Sequence, residues 1–465
     1  MNQTPQAAIY RPATEIDTLM PDIADPVAAA DFPQTILRYR NDRAAASVGL
    51  DGLSDAEWIA HFGRFAPLEG SLPRPLALRY HGHQFRHYNP DIGDGRGFVF
   101  AQLRDDAGRL LDLGTKGTGR TPHSRSGDGR LTLKGGVREI LATEMLEALG
   151  VTTSKTFSII ETGEALERND EPSPTRGAAM VRLSHSHIRI GSFQRAAFHD
   201  DKALLAKLTD YALTRLYGET PGDNPPAQLL GRVVERTADL AASYMVAGFV
   251  HGVLNSDNIN VTGESFDYGP WRFTPLWDTN FTAAYFDHQG LYAFGRQAEA
   301  IHWDVAQLAV SLRPLVEAPA LIEQLERFPA LYGEAMQRRF CWRLGVEGAE
   351  PGAMIEAAVR GMITTSTPID RFFHDWRGGV PRDGAHYGDA VWAPFREAIT
   401  GFSAVAGAKD HPYWSDEAPC SMHIEEVEAI WTAIDQDDDW APLHAKVAAI
   451  RRMGEAHGTP PGPIA

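Results

Sequence analysis

Apolar and polar positions along this chain follow two different periods, and the change between them marks its organisation. Between residues 75 and 185 the apolar positions come in short runs broken by Gly, Asn and Asp, the spacing of strands and turns. Residues 75–80, 98–103 and 109–116 each read as a strand, and 104–108 supplies hairpin-turn residues between the last two. Residues 156–161 and 178–183 read as further strands, separated by a polar, proline-bearing loop over 166–177. One helical stretch interrupts them. Val137, Ile140, Leu141, Met145, Ala148 and Leu149 recur at helical spacing over 133–149, and Gly150 is a suitable C-cap.

Beyond residue 200 the helical period dominates. Residues 201–217, 231–250, 303–312, 322–327, 332–344, 354–362, 424–434 and 442–453 read as helices. The stretches 271–281 and 287–297 read as irregular, and 375–392 breaks the pattern with Pro, Gly and Trp. Residues 1–75 mix proline-rich and short amphipathic pieces, such as 55–65, and are expected to wrap irregularly on the main body. The tail from residue 458 reads as frayed.

A chain of 465 residues that is 43% hydrophobic and 23% charged has core for two to four domains, which excludes global disorder. The net charge of −17 argues against non-specific nucleic-acid binding, which rests on cations neutralising phosphates. It does not argue against a nucleotide, because a local cluster of Lys and Arg can oppose the global sign. With only Cys341 and Cys420, a disulfide framework or a zinc–thiolate site is not expected, which fits a reducing cytoplasm. The N-terminus lacks the pattern of a secretory signal, and no apolar run approaches a membrane span.

The chemistry concentrates in two places. The first is a turn, Gly93-Asp94-Gly95-Arg96-Gly97, that opens the hairpin; lacking side chains, its glycines could bring backbone N–H groups close to phosphate. Alone, such a turn is equally an ordinary β-turn. Lys116 and the loop 117–130, with Arg120, Arg125, Arg130 and the Asp128-Gly129 turn, make a cationic loop in an acidic protein and hence a candidate anion site. Glu139 on the helix could pair with Lys116, although two charges so far apart in sequence need not meet. Arg182 and Arg189 could fork onto phosphate, or could be exposed strand arginines. The second place is 251–269, where Asp257, Asn258 and Asp267 offer the oxygen ligands that Mg2+ takes together with substrate phosphates. Asx-rich turns would use the same residues. His81, His83, His87, His185 and His187 lack further ligands and read as satisfied loop histidines. The run 435–439 lacks an EF-hand pattern, and no P-loop or hydrolase elbow is present.

Gly-rich turn, strand lysine, helix glutamate, helix, Asn-bearing loop and Asp-Tyr-Gly follow one another in the order of a protein kinase. One part departs from it: Val253 stands where a kinase-type loop needs its catalytic Asp, and the nearby acid is Asp257. With this departure, the strings YHGHQF, GDGRG, LGTKGTGRTPHSRSGDGR, VREIL, RLSHSHIRIGSF, HGVLNSDNINV, FDYGP and DHQGLYAFGRQ resemble the selenoprotein O (YdiU) family of kinase-fold protein adenylyltransferases. The likeness runs from about Tyr80 to Gln297, is weaker in the N-terminal segment, and is poor after about residue 345.

The resemblance implies an α+β, kinase-like two-lobed fold. Its parts would be an N-terminal wrapping segment (1–75), a β-rich lobe (76–185), a helical lobe (186–345) and a mainly helical extension (346–465). It implies ATP as co-substrate and Mg2+, with Mn2+ as the alternative. Gly93, Gly95 and Arg96 would lie along the nucleotide; Lys116, paired with Glu139, Asp128, Gly129, Arg182 and Arg189 would face its phosphates. Asp257 would be the base, and Asn258 and Asp267 would ligate the metal. The implied reaction is transfer of AMP to Ser, Thr or Tyr of proteins. UMP transfer, an ordinary kinase and a non-catalytic nucleotide-binding module stay open beside it. Two departures bear on it: 86–91 is polar where an apolar, Trp-containing stretch is expected, and the C-terminal Cys-x-x-Cys or Cys-x-x-selenocysteine of many members is absent.

Overall fold

The computed structural model describes residues 9–169, 171–382 and 387–462, so the last three residues of the tail lie outside it. The fold is mixed α+β. Nine strands form one antiparallel sheet: β1 (Pro12–Ala13), β2 (Ala24–Pro26), β3 (Ile36–Arg40), β4 (Leu76–Leu78), β5 (Val99–Arg104), β6 (Leu110–Lys116), β7 (Leu131–Thr132), β8 (Lys155–Leu166) and β9 (Thr175–Ser184). Their order is β2-β4-β5-β6-β9-β8-β3, with β1 on β5 and β7 on β9. The β5–β6 hairpin closes where expected: Gly108 takes φ +80° and the Asp105 carboxylate accepts from Arg109 N at 2.8 Å. β8 and β9 run further than their apolar runs suggest. There, Glu161 bonds Arg176 and Arg38 at 2.7 and 2.6 Å, and these ion pairs take the place of hydrophobic pairs.

The residues before 75, expected to be irregular, contribute β1–β3 and cover one face of the sheet. The Asp55–Phe62 helix carries a Ser54/Glu57 capping box, and its Trp58 stacks on Phe157 with centroids 4.9 Å apart. The indole N–H of Trp58 is satisfied by Ser158 Oγ at 2.9 Å, so the ring is buried without an orphan donor. On the other face lies α1 (Leu133–Ala148), capped by Thr132 and ended at Gly150 with φ +76°. Its Val137, Ile140, Leu141 and Met145 are wholly buried, and Gly136 lets it approach Ile159 and Ala178.

The remainder is helical: α2 (Ile190–Phe198), α3 (Lys202–Tyr211), α4 (Pro225–Ala247), α5 (Gln297–Leu312), α6 (Phe328–Leu344), α7 (Ile424–Asp437) and α8 (Ala441–His457) are the principal elements. α4 starts earlier than its apolar pattern suggests because Asn224 caps it and proline opens its first turn. It stops at Gly248 (φ +69°), and Phe249–Val250 peel off to pair with Arg272–Phe273. α8 returns to α1, where Arg451 bonds Glu144 at 2.6 Å. No helix among the described residues is long and apolar enough to cross a membrane.

Candidate active site

A cleft of about 360 Å³ lies between the sheet and the helical part, lined by residues from four stretches of the chain: 80–97, 115–130, 168–189 and 257–267. Its roof is the turn from Gly93 to Gly97 folded against the loop 117–130. Here glycine is a steric requirement. A Cβ on Gly97 would fall 2.0 Å from Thr115 O, and one on Gly93 2.7 Å from the His123 ring. Gly129 has φ +71°, and a Cβ there would meet the Gly119 carbonyl at 2.3 Å. Thr121 Oγ1 donates to Asp94 O at 2.6 Å and Ser124 Oγ to Gly95 O, stitching the two loops together. Asp128 accepts from Arg130 N at 2.9 Å and pairs with Arg168 at 2.8 Å. Burial pushes its carboxyl up, but those contacts outweigh it and hold the group below the usual carboxylate range.

The cationic wall comes from β6, β9 and the start of α2. Lys116 ends β6 and is 4% exposed; its Nζ lies 2.5 Å from Glu139 Oε1 on α1 and 2.9 Å from Asp267 Oδ1. The lysine and the glutamate, distant in sequence, therefore meet. Arg182 lies 3.5 Å from Asp267 Oδ1 and over the Phe266 ring at 5.0 Å, and its buried NH1 has no hydrogen-bond partner. Arg189 stacks on Tyr80 at 4.1 Å, reaches Asp94 Oδ1 at 3.4 Å and donates to the Asp257 carbonyl at 3.2 Å. Neither arginine is an exposed strand residue.

The floor is the 251–269 stretch. His251 Nε2 donates to Phe266 O at 3.1 Å, tying its two ends together. Asp257 sits in the short 3-10 turn Ser256–Asn258 beneath Gly82, where a Cβ would come 2.6 Å from its Oδ1. That Oδ1 is buried without a well-formed hydrogen bond, and burial pushes the carboxyl up to about 6 despite Arg189 and the Gln84 side chain nearby. Asp267 adopts φ +64°, uncommon for a non-glycine residue. Burial raises its pKa, but Lys116, Arg182 and Arg96 together hold it well below the ordinary value.

Gly93, Gly95, Arg96, Lys116, Asp128, Gly129, Arg182, Arg189, Asp257 and Asp267 all line this one cleft. Glu139 and Asn258 do not. Glu139 lies behind Lys116, and Asn258 is half-buried at the floor with Nδ2 donating to Val253 O at 3.1 Å. That bond points the amide N–H at the protein and leaves the side-chain oxygen as the free donor toward a cation. Together with Asp267 it could offer a cation two oxygens, a set that suits Mg2+ only if substrate phosphates complete the shell. Among the described residues no cluster of three or more His, Cys, Asp or Glu could hold a metal alone. Arg120 of the cationic loop is exposed and outside the lining, and Arg130 pairs with Glu164 at 2.7 Å. Sequence reasoning passed over Tyr80, Gln84, Asp94, His123, Ser124 and Arg168, which also line the cleft. Of these, Asp94 had a signal, being the acid inside the glycine turn.

Comparison with known proteins gives the chain a family. A family model described as protein adenylyltransferase SelO matches residues 7–380. The protein nucleotidyltransferase YdiU of Synechocystis sp. is 49% identical over 329 residues, 70% of this chain and 68% of the relative. Those of Synechococcus elongatus and Gloeobacter violaceus are 40% and 41% identical over 475 and 469 residues; they cover 96% and 95% of this chain and 95% of their own lengths. The fold and the cationic cleft thus go with an enzyme of the nucleotidyltransferase class. The chain belongs to the SelO family of protein adenylyltransferases. The alignments with these relatives reach well past residue 345, further than the motif strings alone suggested.

Proposed function

We propose that this protein transfers AMP from ATP to a Ser, Thr or Tyr hydroxyl of other proteins, releasing pyrophosphate, with Mg2+ bound at Asn258 and Asp267. The scaffold is read as a kinase-like pair of lobes, 76–185 and 186–345, with 1–75 wrapped on the first and 346–465 appended to the second. The observation that carries the reading is Asp257: a buried carboxylate oxygen without a well-formed hydrogen bond, on the floor of a cationic cleft, in a loop whose kinase-type acid position is Val253.

In this reading Lys116, Arg182 and Arg189 hold the triphosphate and oppose the charge that develops on the leaving pyrophosphate. Glu139 keeps the Lys116 ammonium fixed at 2.5 Å, so little reorganisation is needed as that charge appears. The incoming hydroxyl oxygen forms its bond to the α-phosphorus while the bond from that phosphorus to the bridging oxygen breaks, and the electron pair leaves on pyrophosphate. The hydroxyl proton passes to Asp257, whose carboxyl near pKa 6 is basic enough to accept it and still ionised at neutral pH. A divalent ion held by the Asn258 and Asp267 oxygens would add charge neutralisation at the phosphates.

ATP labelled at the α- or the γ-phosphate tests the proposal. Transfer of the α-label, with a mass gain of one AMP on the acceptor, is expected; transfer of the γ-label alone refutes it in favour of a kinase. Competition among nucleotides with Mg2+ or Mn2+ separates AMP from UMP transfer.

A further inference from the structure

Behind the cationic wall runs a chain of buried polar groups whose hydrogen-bond direction is fixed from one end. The backbone N–H of Ile16, in the Glu15–Leu19 turn, donates to Gln102 Oε1 at 2.8 Å. That contact orients the Gln102 amide, so its Nε2 donates to Asp112 Oδ1 at 2.7 Å and to Tyr211 Oη at 3.2 Å. The other Asp112 oxygen lies 3.2 Å from His187 Nδ1, and Arg182 Nε donates to His187 Nε2 at 3.2 Å. Every member of the chain is at most 6% exposed. An arginine N–H can only donate, so His187 Nε2 must be the bare nitrogen and Nδ1 must carry the proton given to Asp112. Gly114 leaves the ring its room, since a Cβ there would lie 2.1 Å from Nε2. Burial and Arg182 also hold His187 neutral against the pull of Asp112.

We infer that His187, its tautomer set by Asp112, is a positioning residue that aims Arg182 at the nucleotide phosphates, and that the N-terminal turn at Ile16 anchors this alignment. The role of Arg182 rests on the proposed function. The chain explains why a turn so far from the catalytic loop belongs to the site. Asp112→Asn puts one N–H too many into it. Either the new amide donates to Nδ1, which moves the His187 proton to Nε2 against Arg182, or it confronts the Gln102 amide, which cannot rotate without leaving Ile16 N–H unbonded.

The test measures ATP affinity by calorimetry. Asp112→Asn is expected to weaken ATP binding on the order of 10- to 100-fold, the effect of losing one hydrogen bond to a charged group. In an Arg182→Ala background the same change should have almost no further effect. Equal losses in both backgrounds would overturn the inference, because a merely structural role is additive. His187→Gln, which keeps an acceptor at the Nε2 position, should recover most of the affinity lost in His187→Phe; equal losses would count against it. The nitrogen-15 spectrum of histidine-labelled wild-type protein decides independently of how any variant folds: an Nδ1–H tautomer at His187 supports the chain, and an Nε2–H tautomer refutes it. The readout is ATP affinity, so transfer of the γ-label would sink the proposed function and leave this inference standing. Failure of the wild type to bind ATP would likewise sink the function first, while the tautomer still judges the chain.

Discussion

Replacing Lys116 by Met should separate what the lysine does for the nucleotide from what it does for the fold. Lys116 is 4% exposed and Glu139 is 1% exposed, so the change leaves a buried carboxylate without its counter-ion. Breaking one side of such a pair costs about 3–5 kcal/mol. Unfolding entropy of about 2.1 cal/mol/K per residue over 465 residues gives about 1 kcal/mol per degree, so the melting midpoint should fall by about 3–5 °C. Adding Glu139→Gln removes the orphan charge and should return most of that loss, with a coupling of about 2 kcal/mol or more between the two sites. Nucleotide binding should behave differently. Lys116 also faces Asp267 at 2.9 Å on the cleft side, and losing a charged donor to phosphate weakens ATP binding about 10- to 100-fold. Glu139→Gln cannot restore that. Thermal melts and ATP titrations on the two single variants and the double variant check both halves. Stability that stays low in the double variant, or ATP affinity that recovers in it, would refute the assignment of Lys116 as a phosphate ligand braced by Glu139.

Asp257→Asn should keep ATP affinity within about threefold and lower labelled-AMP transfer by at least about 100-fold, the usual contribution of a positioned base; a parallel loss of both would mean a binding role instead. Gly129→Ala forces a side chain into φ +71° with its Cβ 2.3 Å from the Gly119 backbone, so the 117–130 loop must move. ATP affinity should fall at least about tenfold by calorimetry. Burial pushes the Glu264 carboxyl, whose Oε1 accepts from His185 N at 2.8 Å, up to about 7. With its folded pKa above the unfolded value, the stability it contributes is present below about pH 4.5 and is lost as pH rises to 7. Glu264→Gln should remove that slope and leave the variant more stable at pH 8 by about 3 kcal/mol at most, which urea midpoints at pH 5 and pH 8 will show.

What the sequence disclosed follows from where each signal is stored. Lys116, Glu139, Asp257 and Asp267 were legible because each sits at a fixed offset within a strand, a helix or a tight turn. Residue type and spacing therefore carry the information. Arg168 and His123 were not legible, because they reach the cleft only through the folding of two loops. Arg168 arrives by its pairing with Asp128 at 2.8 Å, and His123 by the 3.0 Å contact with Asp25 on β2. Helix α2 was hidden by its own task. Ile190, Phe193 and Ala196 keep the helical spacing, but the helix is only nine residues long, Gly191 is required where a Cβ would strike His81 O at 2.1 Å, and Gln194 turns inward to take the Ser256 hydroxyl at 2.7 Å. The N-terminal strands escaped notice because β1 and β2 are short and contain Pro12 and Pro26, as suits edge positions. Most of the loop histidines are satisfied as expected, His185 on Leu216 O at 3.1 Å among them, but His187 also holds an arginine.

Three of the places where local rules fail meet in the cleft. Asp267 takes a left-handed backbone that asparagine or glycine would adopt more readily. Arg182 NH1 has a 3.5 Å ion-pair contact with Asp267 but no well-formed hydrogen bond, and neither has the buried Asp257 Oδ1. Buried polar atoms so poorly satisfied cost up to about 1–3 kcal/mol each, a cost an apolar core would not carry. Their signs are opposite, yet they do not bond to each other: the cleft keeps its donor and its acceptor for something else. A ligand with anionic oxygens at one end and a hydroxyl proton to give up at the other satisfies both. On the proposed function, a triphosphate meeting an acceptor hydroxyl is such a pair, and it fits a cationic cleft inside a protein of net charge −17.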